Sequence, residues 1–570
     1  MTEPRAGVLS PIAASDWSRD RAAHLLERAG FGGPPDEVDR LAAMTPAEAV
    51  DALLAGGDTS DLPPFDHSGV WDATLTHFPP SRPAATELAE RSGAAMGVKV
   101  KPGGSRPLQP VTDRFFYWLR ATLLETRRVA FWWIDRMVRS RHPLAEKMTL
   151  FWHGHFATSE EKLRDYRKIL RQIETLRAGA LGSFRDLLTA VSKDPAMLVF
   201  LDAALNVKGA PNENFGREVM ELFTMGVGNY TEDDIREAAR AFTGWGNDDL
   251  EFVFDPDRHD PGIKRFLGRE GAFDGDDILR IILEQEQTAI YIASKIYRFF
   301  VREDLDDDLA RRLGAAFRDG DYAIAPFLRM IFLSEDFYSP ASVATHIKSP
   351  TELIVSTYRK LGLSNLPGVP DPNSVGRTLG QVLLYPPTVA GWSGGRAWLT
   401  PGLLFERGNF AKDVLFPDMI GFVDPMLDPG GEVIRVNRNI NAGMEITAAT
   451  LEDGASPSMA DGIRETFNTR YASLNGWQEA MRRVKPIPRA PGQFRLSDMI
   501  DGAATAEEAV DALAGRFLRL PLTEPAREAL VAMLTDEIGT ADLAEAETYL
   551  EPALRRVAHG ILSAPQYQLA

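Results

Sequence analysis

A chain of 570 residues is longer than one hydrophobic core sustains, so several lobes are expected. With 63 Lys and Arg against 81 Asp and Glu, the formal net charge of -18 repels phosphate backbones and anionic lipids, which argues against nucleic acid as a partner. The lack of cysteine excludes disulfides, thiolate metal sites and cysteine nucleophiles.

The opening stretch, Met1 to Trp17, shows no apolar core behind a basic start, and no apolar run in the chain is long enough to span a bilayer. A soluble, cytoplasmic protein is expected, or a periplasmic one if the true start lies upstream. Gly30 and Gly32 close a helical run begun near Asp20, and Thr45 with Glu48 forms a capping box for the next helix. The pattern Thr505-Ala506-Glu507-Glu508 repeats that box, and Leu333-Ser334 with Tyr338 is echoed by Leu562-Ser563 with Tyr567. Neither echo has the fixed period of a solenoid.

Residues 55–112 read as an irregular, Pro- and Gly-rich excursion. From 113 to 360 the pattern is helical almost throughout. Tyr166, Ile169, Leu170, Ile173 and Leu176 form one apolar stripe, and Ile292, Ile296, Phe299 and Phe300 another. Residues 364–402 are loop-like. Val433 to Thr447, around Asn441-Ala442-Gly443, predict a small β-hairpin. The expected fold is mainly α: a multi-helical array with long irregular loops and a small β-hairpin insertion. Its expected segments are 1–112, N-terminal helices plus the excursion; 113–414, the helical core; 415–498, the insertion; and 499–570, C-terminal helices packing on the core.

Five motifs carry candidate chemistry. In Phe151-Trp152-His153-Gly154-His155-Phe156 the two imidazoles can share a metal if Gly154 ends the helix; on a continued helix they diverge by about 160°. Thr158 to Glu161 predicts a cap for the following helix, in support of a turn. Asn214, Glu218 and Glu221 form a polar stripe beside a buried face of Phe215, Val219, Leu222 and Phe223. Carboxylates one turn apart at a core boundary can ligate a metal or split into acid and base, unless Arg217 simply pairs with Glu221. Arg236 and Arg240 share a helix flank that can hold an anionic group. His259, Asp260 and Lys264 place acid, base and cation on one Pro-Gly turn. Gly391 to Gly395 matches G-x-S-x-G, but Pro386-Pro387 ahead of it argues against a nucleophile elbow, leaving a rigid loop with Trp392 and Trp398 to pack on the core or stack on a flat ligand. No P-loop, H-E-x-x-H or dinucleotide fingerprint is present.

At these residues, and at His24-Leu25-Leu26 to Gly32, Lys348-Ser349-Pro350 and Leu562-Ser563-Ala564-Pro565, the chain resembles the bacterial domain-of-unknown-function family 1800. The resemblance implies helical structure throughout. It also implies a sulfatase-like partner protein, because members often sit beside a gene for one. Members often carry export signals, which are not expected here from the residues Met1 to Trp17, and commonly show Pro where Ser393 stands. It transfers no catalytic residues.

Two functions are expected from these motifs. One is a hydrolase or lyase acting on a glycan or other polymer, with His155, Glu218, Glu221, His259, Asp260 and Lys264 as acid–base groups, Asn214, Arg236, Arg240, Trp392 and Trp398 lining the cleft, and a divalent metal on His153 and His155 as the candidate cofactor. The other is a non-catalytic helical scaffold or binding protein acting with an enzyme partner, in which the same residues lock loops to helices.

Overall fold

The computed structural model describes residues 4–55, 62–71, 109–417, 484, 487, 490–540, 542–546 and 549–570, with side chains from 118 onward in the helix that begins at 109. The fold is mainly helical, with two short antiparallel hairpins among the described residues. None of these helices is long and apolar enough to cross a membrane.

Local capping chemistry sets many helix starts. Thr45 and Glu48 close a reciprocal box at the head of Pro46–Leu54, as do Thr231 and Asp234 for Glu232–Ala241, Ser349 and Glu352 for Pro350–Lys360, and Thr505 and Glu508 for Ala506–Phe517. Each box satisfies two backbone donors that a helix start leaves unpaired. The expected cap at Thr158 is a correction: Ser159 precedes Glu160–Leu163, and the Thr158 hydroxyl instead donates to Gln172.

Apolar stripes gather these helices around two buried clusters. One contains Leu25, Met148, Trp152, Val219, Ile292 and Phe332; the other contains Trp133, Ile169, Leu353, Leu513 and Leu554. The stripe from Tyr166 to Leu176 is buried as its period predicts, as are Ile292, Ile296 and Phe300, while Phe299 sits at the edge.

The sequence echoes fall at equivalent places. Ile324–Leu333 runs into the 3-10 turn Asp336–Tyr338, and Leu550–Ser563 into Pro565–Gln568, with both tyrosines buried. Pro11, ahead of the helix Arg19–Ala29, bridges to Ser334; Ile347, ahead of Pro350–Lys360, bridges to Leu569.

The hairpin expected at 433–447 lies outside the described residues. Hairpins appear instead where helix and loop were expected. β1 (Trp245–Asp248) pairs with β2 (Glu251–Phe254), and β3 (Lys264–Phe266) with β4 (Arg269–Gly271). Leu267 and Gly268, both at positive φ, make the second turn. The short helix Asn214–Glu218 continues into a π turn, Val219–Thr224, a feature frequent at functional sites.

Candidate functional site

The helix Pro143–His155 holds through both histidines, so Gly154 does not turn His155 away from it. The imidazoles accordingly find separate partners. His153 is fully buried, its Nε2 accepts the Leu384 N–H at 3.2 Å, and its ring lies 5.3 Å from that of Trp133 and 5.4 Å from that of Trp392. Burial lowers its pKa to about 4. His155 donates from Nε2 to the Phe223 carbonyl at 3.1 Å and stacks on Phe151. Burial, then the charge of Lys295, hold it well below the ordinary imidazole range. The expected sharing of a metal by His153 and His155 is therefore corrected: one ring fastens the loop at Leu384, the other the π turn. Among the described residues, no three His, Asp or Glu side chains group as metal ligands.

On the second motif, Phe215, Val219 and Phe223 are buried, Asn214 is exposed, and Glu218 and Glu221 are half-buried. Arg217 does not pair with Glu221. It pairs with Glu213 at 3.1 Å and Glu232 at 2.9 Å, and Glu221 accepts the Tyr230 hydroxyl at 2.7 Å. Burial, with Glu221 nearby, raises the pKa of Glu218.

The flank of Arg236 and Arg240 is already neutralised. Arg236 pairs with Asp233, and Arg240 with Glu237 at 2.9 Å and Asp260 at 2.8 Å. Asp260 is held at about 2, chiefly by its hydrogen bond from Arg240. The buried Lys264 ammonium donates to the carbonyls of Asp260 at 2.6 Å and Gly262 at 3.0 Å, and His259 donates from Nδ1 to the Thr243 carbonyl at 2.9 Å. The turn is a self-satisfied lock tying the 259–264 segment to the end of Glu232–Ala241. Among the described residues, no hydrogen bond, ion pair or ring contact joins it to His155, Glu218 or Trp392.

The tryptophan loop lies across the end of the histidine helix. Gly391 has φ +84°, and a Cβ there would stand 2.4 Å from the Gly154 carbonyl oxygen, so only glycine permits this approach. Trp392 is half-buried against His153, and Trp398 is buried. No strand precedes Ser393, which is exposed, and a 3-10 turn, Gly395–Trp398, follows it; the elbow geometry is absent.

The structure thus joins three motifs through one helix: Trp392 to His153, and His155 to the π turn at Phe223. It also adds residues that the sequence reading passed over. From Glu286–Phe300, Tyr291 donates to the Leu222 carbonyl at 3.1 Å, Lys295 lies 5.2 Å from the Tyr291 ring, and Phe299 packs 5.1 Å from Phe151. Burial lowers the pKa of Lys295 to about 8. Their spacing at i, i+4 and i+8, beside the buried stripe, was the available signal. A shallow depression of about 400 Å³ beside the π turn, lined by Met225, Asn229, Gln285, Glu286, Gln287, Ile290 and Arg311, contains none of the nominated residues.

Residues 24–569 match the family described as Protein of unknown function (DUF1800). No curated protein matches the chain. No solved structure matches it either.

Proposed function

The chain belongs to the DUF1800 family, and we propose that it is a non-catalytic helical scaffold that binds a ligand and acts with an enzyme partner. One observation carries this reading: each nominated histidine is committed to a backbone group of another segment. His153 takes the Leu384 N–H, His155 the Phe223 carbonyl and His259 the Thr243 carbonyl. An imidazole committed in this way fixes a loop on a helix and is poorly placed to exchange protons with a substrate. A glycan or other polymer is the proposed ligand, and a sulfatase-like enzyme the proposed partner. The half-buried Trp392 and Phe299, which pack on His153 and Phe151 of the histidine helix, supply the aromatic surface for such a ligand, with Tyr291 and Lys295 beside Phe299 on its own helix.

The test is His155→Ala, read by stability, amide exchange and metal content. The Phe223 carbonyl loses its donor, so stability drops by about 1–3 kcal/mol. Exchange across Val219–Thr224 speeds up. A stoichiometric transition metal in the wild-type protein, lost in the variant while stability and exchange stay unchanged, would make His155 a ligand and restore the hydrolase or lyase reading.

A further inference from the structure

Other buried lysines of this fold are answered by oxygen. Lys147 meets Glu352 at 3.0 Å, Lys348 and Lys360 meet Glu27 at 3.0 and 2.7 Å, and Lys264 is held by two carbonyls. Lys295 departs from this pattern. It is half-buried on Glu286–Phe300, and among the described residues no oxygen lies in hydrogen-bonding or ion-pairing reach of its ammonium.

The reason is local. The π turn meets this helix through Tyr291, and two of its consecutive carbonyls are already engaged: Leu222 by the Tyr291 hydroxyl and Phe223 by His155 Nε2. Tyr291 and Phe299 flank Lys295 one turn away on its own helix, and Phe299 reaches Phe151, which stacks on His155 across the seam. The buried His155 ring is neutral, its Nδ1 has no hydrogen-bond partner, and its proton affinity is depressed first by burial and then by the charge of Lys295. A half-buried cation among neutral rings is costly unless an anion joins it. At neutral pH it remains largely charged, because burial lowers its pKa only to about 8.

We propose that Lys295, flanked by Tyr291 and Phe299, binds an oxyanion group of the ligand, a carboxylate or a sulfate ester, while the rings receive the apolar face of the unit that carries it. The proposal rests on the binding reading above and adds its ligand chemistry. Glu218, which ends the helix Asn214–Glu218, Glu221 on the π turn that follows, and the net charge of -18 disfavour a polyanion and favour a unit with a single charge.

The test is titration of the intact protein with inorganic sulfate, glucuronate and, as neutral control, glucose, at constant ionic strength, followed by calorimetry and thermal midpoint. Sulfate or glucuronate should bind saturably and glucose at least roughly tenfold more weakly, the scale of one charge-assisted hydrogen bond. Whichever oxyanion binds identifies the source. Lys295→Met should abolish the response and Lys295→Arg retain it. The Met variant removes an uncompensated charge, so it should fold at least as well as the wild type, and its melting curve checks this. Equal responses of wild type and Lys295→Met, or no saturable response to either oxyanion, would overturn the site. Turnover of a ligand by a chain whose oxyanion response still depends on Lys295 would remove the non-catalytic reading and leave the site standing.

Discussion

Glu160 lies in the core, its Oε1 accepting the hydroxyls of Thr122 at 2.8 Å and Thr126 at 3.2 Å, with no salt-bridge cation among the described residues. Burial raises its pKa from 4.5 to about 8, so the folded protein keeps a proton that the unfolded chain releases. Stability contributed by that proton is intact below about pH 4.5 and declines as pH rises toward 8. Glu160→Gln removes the titration, and urea unfolding of the wild type relative to this variant should lose about 2–4 kcal/mol between pH 5 and pH 8. Parallel pH profiles would show that the carboxyl is ionised in the fold. At this scale the sequence names residue types but not their partners. Glu160 drew no notice, and the histidines could be read as metal ligands or as loop locks, because the groups that occupy them come from distant segments.

Elements whose cause lies within four residues were the most legible. The boxes at Thr45 and Thr505 form as read, since the hydroxyl, the carboxylate and both backbone donors belong to one turn. The long amphipathic helices follow for the same reason: the period is in the chain itself. The hairpins between 245 and 271 escaped notice. Their strands have three or four residues, too few to establish alternation, and their turns lack an Asn-Gly pair, with Leu267 adopting φ 46°. Whether the helix continues past Gly154 was left open between two alternatives. Glycine is a common helix terminator, but here the Gly391 backbone packs against it, a contact that no local pattern announces.

In the molecule as a whole, the helices Arg19–Ala29 and Pro350–Lys360, each opening a similarly closed unit, meet through buried charge. Glu27 receives Lys348 and Lys360, and Glu352 receives Lys147 and, at 3.1 Å, His346. Burial alone would raise the pKa of Glu27, but Lys348, Lys360 and Arg519 hold it below its ordinary value. Glu27→Gln leaves two buried ammonium groups without their counter-charge. It should cost about 3–5 kcal/mol, read as a lower urea midpoint; a loss under about 1 kcal/mol would mean that water already reaches this layer. The sequence marked Lys348 and the stretch around Glu27 only as family-like motifs and gave them no partners, because a charged side chain on a helix reads as solvent-facing wherever its partner is remote in the chain. What was legible of the site was its set of motifs. What was not legible was that one helix joins three of them while the 259–264 turn closes on itself.

The fixed, neutral state of His153 and His155 as links between segments underlies the whole assembly of the site. Their imidazole nitrogen resonances, followed from about pH 5 to 8, test it most directly. Both rings should stay neutral over that range, with the proton on Nε2 in His155 and on Nδ1 in His153, and added zinc should leave them unmoved. Titration of either ring near 6.5, or a joint shift of both on adding zinc, would contradict it.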